Sequence, residues 1–157
     1  TLDTPLVGGL ELKATAYLHE NEGQGIWFTP YVPTPGPGGA PISIRTTEYE
    51  IDRRGLTLGF SWELGAHTLG AGYWYETNDF DQARRFYGLD LAAPQRSSLD
   101  FQRDPFFTQW QGAFETKTNQ FYLQNQWQLN DAVKVSFGFK STDVENAARQ
   151  VVGTFPA

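Results

Sequence analysis

A few groups of side chains have the types and spacing to meet a ligand. Trp27, Phe28 and Tyr31 set large rings close together in a stretch without apolar alternation. Such rings suit stacking on an aromatic or sugar-like ligand, or else they pack the loop onto itself. Arg84, Arg85 and Tyr87 place adjacent guanidiniums beside a phenol. Forked, permanently charged donors suit an anionic ligand, and the other reading is that they bridge neighbouring Asp79 and Asp81. His19 with Glu20 and Glu22 offers a metal or ligand contact, or simply a solvated rim. His67 falls at the other end of the strand pattern, so the two histidines are not expected to share a metal. Glu11, Lys13, Gln124 and Gln126 occupy the polar positions of alternating segments, where they would line a wet lumen.

Chemistry of the catalytic kind has no signature. There is no Gly-x-Ser-x-Gly elbow, no phosphate loop and no His-Glu-x-x-His pair. The chain has no cysteine, which removes thiol catalysis, disulfides and Cys-based zinc sites. The expectation is a protein that is not an enzyme, with no catalytic or metal residues and no cofactor. A net charge of −6 argues against a nucleic-acid partner, which would require a basic footprint.

The elements that would position these residues follow a period of two. Leu10, Leu12, Ala14, Ala16 and Leu18 alternate with Glu11, Lys13, Thr15, Tyr17 and His19. The spacing predicts strands at about 10–19, 46–63, 67–76, 108–129 and 133–141, in an antiparallel, all-β meander. Within the second, a change of parity near Arg53-Arg54-Gly55 predicts a bulge with Gly55 in an unusual torsion. Long outer loops are expected at about 20–45, which carries Pro33-Thr34-Pro35-Gly36-Pro37, and at about 77–107. Phe80 to Tyr87 is compatible with a helical turn, and from Asp143 the alternation dissolves. Tight connections follow the second and fourth strands, so long and short links alternate and fall at opposite ends.

Outer-membrane barrels have this asymmetry, and soluble lipocalin-like barrels and sandwiches can show some of it; the composition points the same two ways. Aromatics make up 15% of 157 residues, yet mean hydropathy is −0.46. A barrel with a greasy outside and a wet lumen reconciles the two, and so does a half-wetted soluble β-protein. No run reaches the ~18 to 20 apolar residues of a membrane helix. Leu10–Leu18, Leu56–Leu64 and Phe121–Leu129 each approach the ~9 to 11 residues a tilted strand needs to cross. Five strands are odd in number and fewer than the ~8 of the smallest bacterial membrane barrels, so they leave two open edges, which lipid does not tolerate. Residues 1–157 are therefore expected to be a partial barrel domain whose remaining strands lie elsewhere. The start, Thr1-Leu2-Asp3-Thr4-Pro5, suggests a processed or excised product.

Some stretches resemble a known family. Gly65-x-His67-x-Leu69-x-x-Gly72-x-Trp74-Tyr75-Glu76 is similar to the turn-and-strand pattern of TonB-dependent outer-membrane receptors. So is Gln120-Phe121-Tyr122-Leu123-Gln124-Asn125-Gln126-Trp127-Gln128-Leu129-Asn130-Asp131, followed by Gly138-Phe139-Lys140. The resemblance covers roughly Leu10 to Lys140 and implies a barrel of about 22 strands in the Gram-negative outer membrane. It also implies an N-terminal plug, the TonB system as partner, outer-membrane lipid as surroundings, and uptake of a siderophore or another scarce nutrient. Trp27, Tyr31, Arg84, Arg85 and Tyr87 would then meet that ligand from the outer loops. The chain ends Phe155-Pro156-Ala157, without the family's closing aromatic strand, so a middle stretch of barrel is expected. Two other classes compete: a soluble β-sandwich or small barrel binding a carbohydrate or hydrophobic ligand through Trp27, Trp74 and Trp110, and a complete small membrane barrel with a structural or adhesive role.

Overall fold

A computed structural model describes residues 1–93, 97 and 99–153. The chain is all-β. Its strands are β1 (Leu2–Pro5), β2 (Leu10–Thr29), β3 (Ser43–Leu64), β4 (His67–Tyr87), β5 (Phe107–Asn130) and β6 (Val133–Val152), with one 3-10 turn at Val7–Gly9 between the first two. They form a single sheet in the order β1-β2-β3-β4-β5-β6, each strand beside its sequence neighbour. This is the antiparallel meander that the alternation predicts, and it is not closed, since β1 and β6 lie at its edges.

The strands outrun their sequence signal. β2 continues to Thr29 and β3 starts at Ser43, so only residues 30–42 are loop where 20–45 is expected. β4 continues to Tyr87, which replaces the helical turn expected over Phe80–Tyr87 and shortens the second loop to 88–106. β6 runs to Val152 rather than dissolving at Asp143. Backbone pairing sets a strand, whereas the alternation reports only burial of one face. Where both faces are wet, as at Glu20-Asn21-Glu22-Gly23, the ladder persists and the pattern vanishes. β1 is a further strand too short to show alternation; it is held to β2 by pairs from Leu2↔Ala14 to Pro5↔Glu11.

The tight connection between β3 and β4 is Gly65-Ala66. Gly65 has φ 59°, the left-handed value that two-residue hairpins of the primed types require at their first position. Gly55 departs from expectation, because its φ is not in the left-handed region. Instead it clears space for the phenol of Tyr17, which a Cβ at this position would meet at 2.3 Å.

The chain divides into two compact units. The first comprises Thr1–His19, Arg53–Asn78 and Thr116–Asn146. Among its described residues no large apolar side chain is fully buried; Glu76 and Thr118 are its buried polar ones. Leu18, Phe60, Trp62, Phe121, Leu123, Phe137 and Phe139 are exposed, Leu18 by 82%. The second unit comprises Glu20–Asp52, Asp79–Glu115 and Ala147–Ala157, of which residues 154–157 lie outside the described ones. It has a true core of Ala40, Ile44, Tyr87 and Leu89, against which Ile26 and Ile42 pack. The Pro-rich loop folds back to build it: Thr34 Oγ1 donates to the Ile42 carbonyl at 2.8 Å and accepts from the Leu89 amide at 2.9 Å.

Candidate functional site

In the first unit, strand alternation sorts side chains onto two unlike faces. On one, Glu11, Lys13, Gln124 and Gln126 border a single polar hollow of about 310 Å³ with Asp3, Ser61 and Tyr122. The residues assigned to a lumen lining are thus brought together. On the other, Leu10, Phe60, Trp62, Leu69, Leu123, Phe137 and Phe139 line an open apolar trough of about 620 Å³. No second layer covers it among the described residues, since the chain contributes only this one sheet.

Further along the polar face, a closed network ties β2, β3 and β4. The Arg53 guanidinium donates to both Glu76 carboxylate oxygens, at 2.9 and 2.8 Å. Tyr17 donates its hydroxyl to Glu76 at 2.5 Å and accepts from the Trp74 indole at 2.9 Å. A carboxylate so buried is costly unless paired, and here every oxygen has a donor. Trp74 is therefore committed to this network. His67, in the same unit, stacks on Trp127 with ring centroids 5.4 Å apart, and the Asn125 amide lies 3.1 Å from its Nδ1.

In the second unit, the five residues proposed to meet a ligand do not form one cluster. Consecutive strand residues point to opposite faces, so Arg84 and Arg85 part company. Arg85 and Tyr87 turn to Glu48. Tyr87 donates to Glu48 Oε1 at 2.5 Å, Thr46 donates to the same oxygen at 2.7 Å, and Arg85 pairs with Oε2. Arg85 also reaches Gln111 at 3.3 Å. The Tyr87 phenol is pushed well above its usual value, first by burial, then by its hydrogen bond to Glu48 and that carboxylate's charge. The group is satisfied internally, with Tyr87 and Thr46 buried and Glu48 and Arg85 partly so, as a structural clamp should be. Asp79 and Asp81, the expected partners of the paired arginines, do not hold Arg85; Glu48 does.

Arg84 faces the other way and lies over the ring of Trp110, 5.5 Å from its centroid. Trp27 carries the Arg45 guanidinium over its ring at 4.8 Å. Tyr31 stands apart in the loop, 86% exposed. Arg45 escapes a sequence reading because it lies in a stretch without alternation; a strand start at Ser43 would have put it opposite Trp27. Among the described residues no group of three or more His, Asp or Glu side chains is placed to hold a metal ion. Nor is any helix among them long and apolar enough to cross a membrane, which leaves crossing by strands open.

Comparison with family models, with curated proteins and with solved structures returned no match.

Proposed function

We propose that the chain is a run of strands from an outer-membrane β-barrel, of the kind that imports a siderophore or other scarce nutrient in partnership with a plug and the TonB system. The observation that carries the barrel reading is the uncovered apolar face of the first unit, directly behind a polar one. Soluble monomers rarely leave contiguous apolar patches beyond a few hundred Å². Here Leu123, Phe137 and Phe139 are 57%, 59% and 60% exposed on one sheet. Lipid tails satisfy such a face, and the Glu11–Lys13–Gln124–Gln126 hollow then meets water. Open edges at β1 and β6 fit the same reading, because a sheet in lipid must close by recruiting further strands. The uptake role rests on the resemblance of Gly65–Glu76 and Gln120–Lys140 to receptor strands. The second unit, with its folded-back loop, would present the ligand-facing surface.

The native chain has no cysteine, so accessibility can be read cleanly from single introduced thiols. Leu18→Cys, Leu123→Cys and Phe137→Cys in lipid vesicles should resist a membrane-impermeant maleimide, while Lys13→Cys and Gln124→Cys label. Equal labelling of both sets would overturn the lipid assignment.

A further inference from the structure

We infer that the second unit carries an oxyanion-binding face built on Arg45 and Arg84, each lying over the ring of a tryptophan. The two arginines sit on adjacent strands. Thr46 and Arg85 both reach the Glu48 carboxylate, and Thr46 Oγ1 lies 3.4 Å from the Arg85 carbonyl, so the two residues stand side by side on one face of β3 and β4. Arg45 and Arg84 each lie one residue before this pair, so both side chains leave the same face of the sheet. As diagonal neighbours their Cα atoms are about 7–8 Å apart. That spacing lets a carboxylate- or phosphate-bearing ligand bridge two guanidiniums.

What distinguishes this pair is the kind of partner it has. Arg53 and Arg85 are neutralised by Glu76 and Glu48. Arg45 and Arg84 have no carboxylate within salt-bridge distance among the described residues; their contacts are the indole faces of Trp27 and Trp110. The Nε groups of both are buried with no hydrogen-bond partner. A guanidinium held over a ring keeps its charge and its donors while losing rotamer freedom, so less entropy is lost on binding. Two adjacent like charges without counter-ions are unfavourable unless something negative arrives. Both arginines remain partly exposed, and so within reach of a ligand. In a chain of net charge −6, a local cationic pair also selects where an anion settles. None of the residues that carry the lipid assignment belongs to this face, so either reading can fail without the other.

The test is calorimetric titration of the detergent-solubilised 157-residue chain with citrate and, separately, with inorganic phosphate, followed in parallel by tryptophan emission from Trp27 and Trp110. Saturable binding of at least one anion is expected, weakening as chloride rises. Citrate preferred over phosphate would identify a carboxylate ligand, and the reverse a phosphate. Arg45→Gln and Arg84→Gln should each weaken binding at least ~10-fold, the loss of about one charge-assisted hydrogen bond. Arg45→Lys and Arg84→Lys, which keep the charge but not the fork, should fall between, and Arg103→Gln should bind as the parent chain does. Intact strand signal by circular dichroism qualifies each variant, with the Lys forms standing in for any Gln form that misfolds. Absence of saturable binding by either anion, or arginine variants that bind like the parent, would sink the proposal.

Discussion

At the scale of single residues, the polar chemistry is mostly spent on holding strands together. Glu76 and Glu48 each gather an arginine and a tyrosine. Tyr17 leans over Gly55 and Tyr122 over Gly72, where an added Cβ would fall 2.3 and 2.2 Å from the ring. An aromatic ring laid on a cross-strand glycine supplies the packing that glycine lacks. The Tyr87 phenol gives these networks a pH signature. Its pKa is raised in the folded chain above the ordinary 10.0, so between these values the native state holds a proton that the unfolded chain has lost. Stability from this group is therefore complete below pH ~10 and declines as pH climbs towards the folded pKa. Denaturant midpoints taken from pH 8 to 11 should fall more steeply for the parent chain than for Tyr87→Phe. Parallel curves would mean that Tyr87 is not the proton holder.

At the scale of elements, the sequence reveals strands through burial and conceals them where both faces are wet. Leu10 to Leu18 and Phe121 to Leu129 were legible because one face is apolar throughout. The later part of β2, with Glu20, Glu22 and Gln24, was not, since nothing in it alternates although it pairs with β3. The same blindness hid Arg45, and with it the partner of Trp27. It also split the expectation for Arg84 and Arg85: adjacent in sequence, they read as a pair in a loop but lie on opposite faces of a strand. β6 shows both cases: its first half alternates and is legible at about 133–141, its second half is not, and its 20 residues are paired on one side and almost wholly exposed. An edge of that length, with no proline, is a template for another strand. In detergent the isolated chain is expected to associate through it. Along an edge strand alternate amides point outward, so one of Lys140→Pro and Ser141→Pro removes an outward donor and the other disturbs the ladder to β5. One of the two should lower the oligomer fraction by cross-linking while strand content is kept. If neither does, association runs through another surface.

At the scale of the whole molecule, the question is which solvent the apolar face meets, and substitution by charge answers it energetically. Leu123 and Gln124 are adjacent on β5 and both exposed; Leu123 borders the trough and not the hollow, whereas Gln124 reaches the polar hollow. If hydrocarbon covers the trough, Leu123→Arg must bring a guanidinium into lipid, at about 2–4 kcal/mol near the bilayer midplane, less towards the interface. Gln124→Arg would enter a hydrated hollow beside Glu11 and should change stability by about 0.5 kcal/mol or less, as surface substitutions do. If water covers both faces, the two variants should be equally mild, and Leu123→Arg should even improve solubility by breaking the apolar patch. Urea titrations of the chain in phospholipid vesicles, read by tryptophan emission, separate these cases. A gap of 2 kcal/mol or so between neighbouring positions on one strand requires two different solvents on the two sides of the sheet, because no packing difference within this chain supplies it: neither side chain is covered.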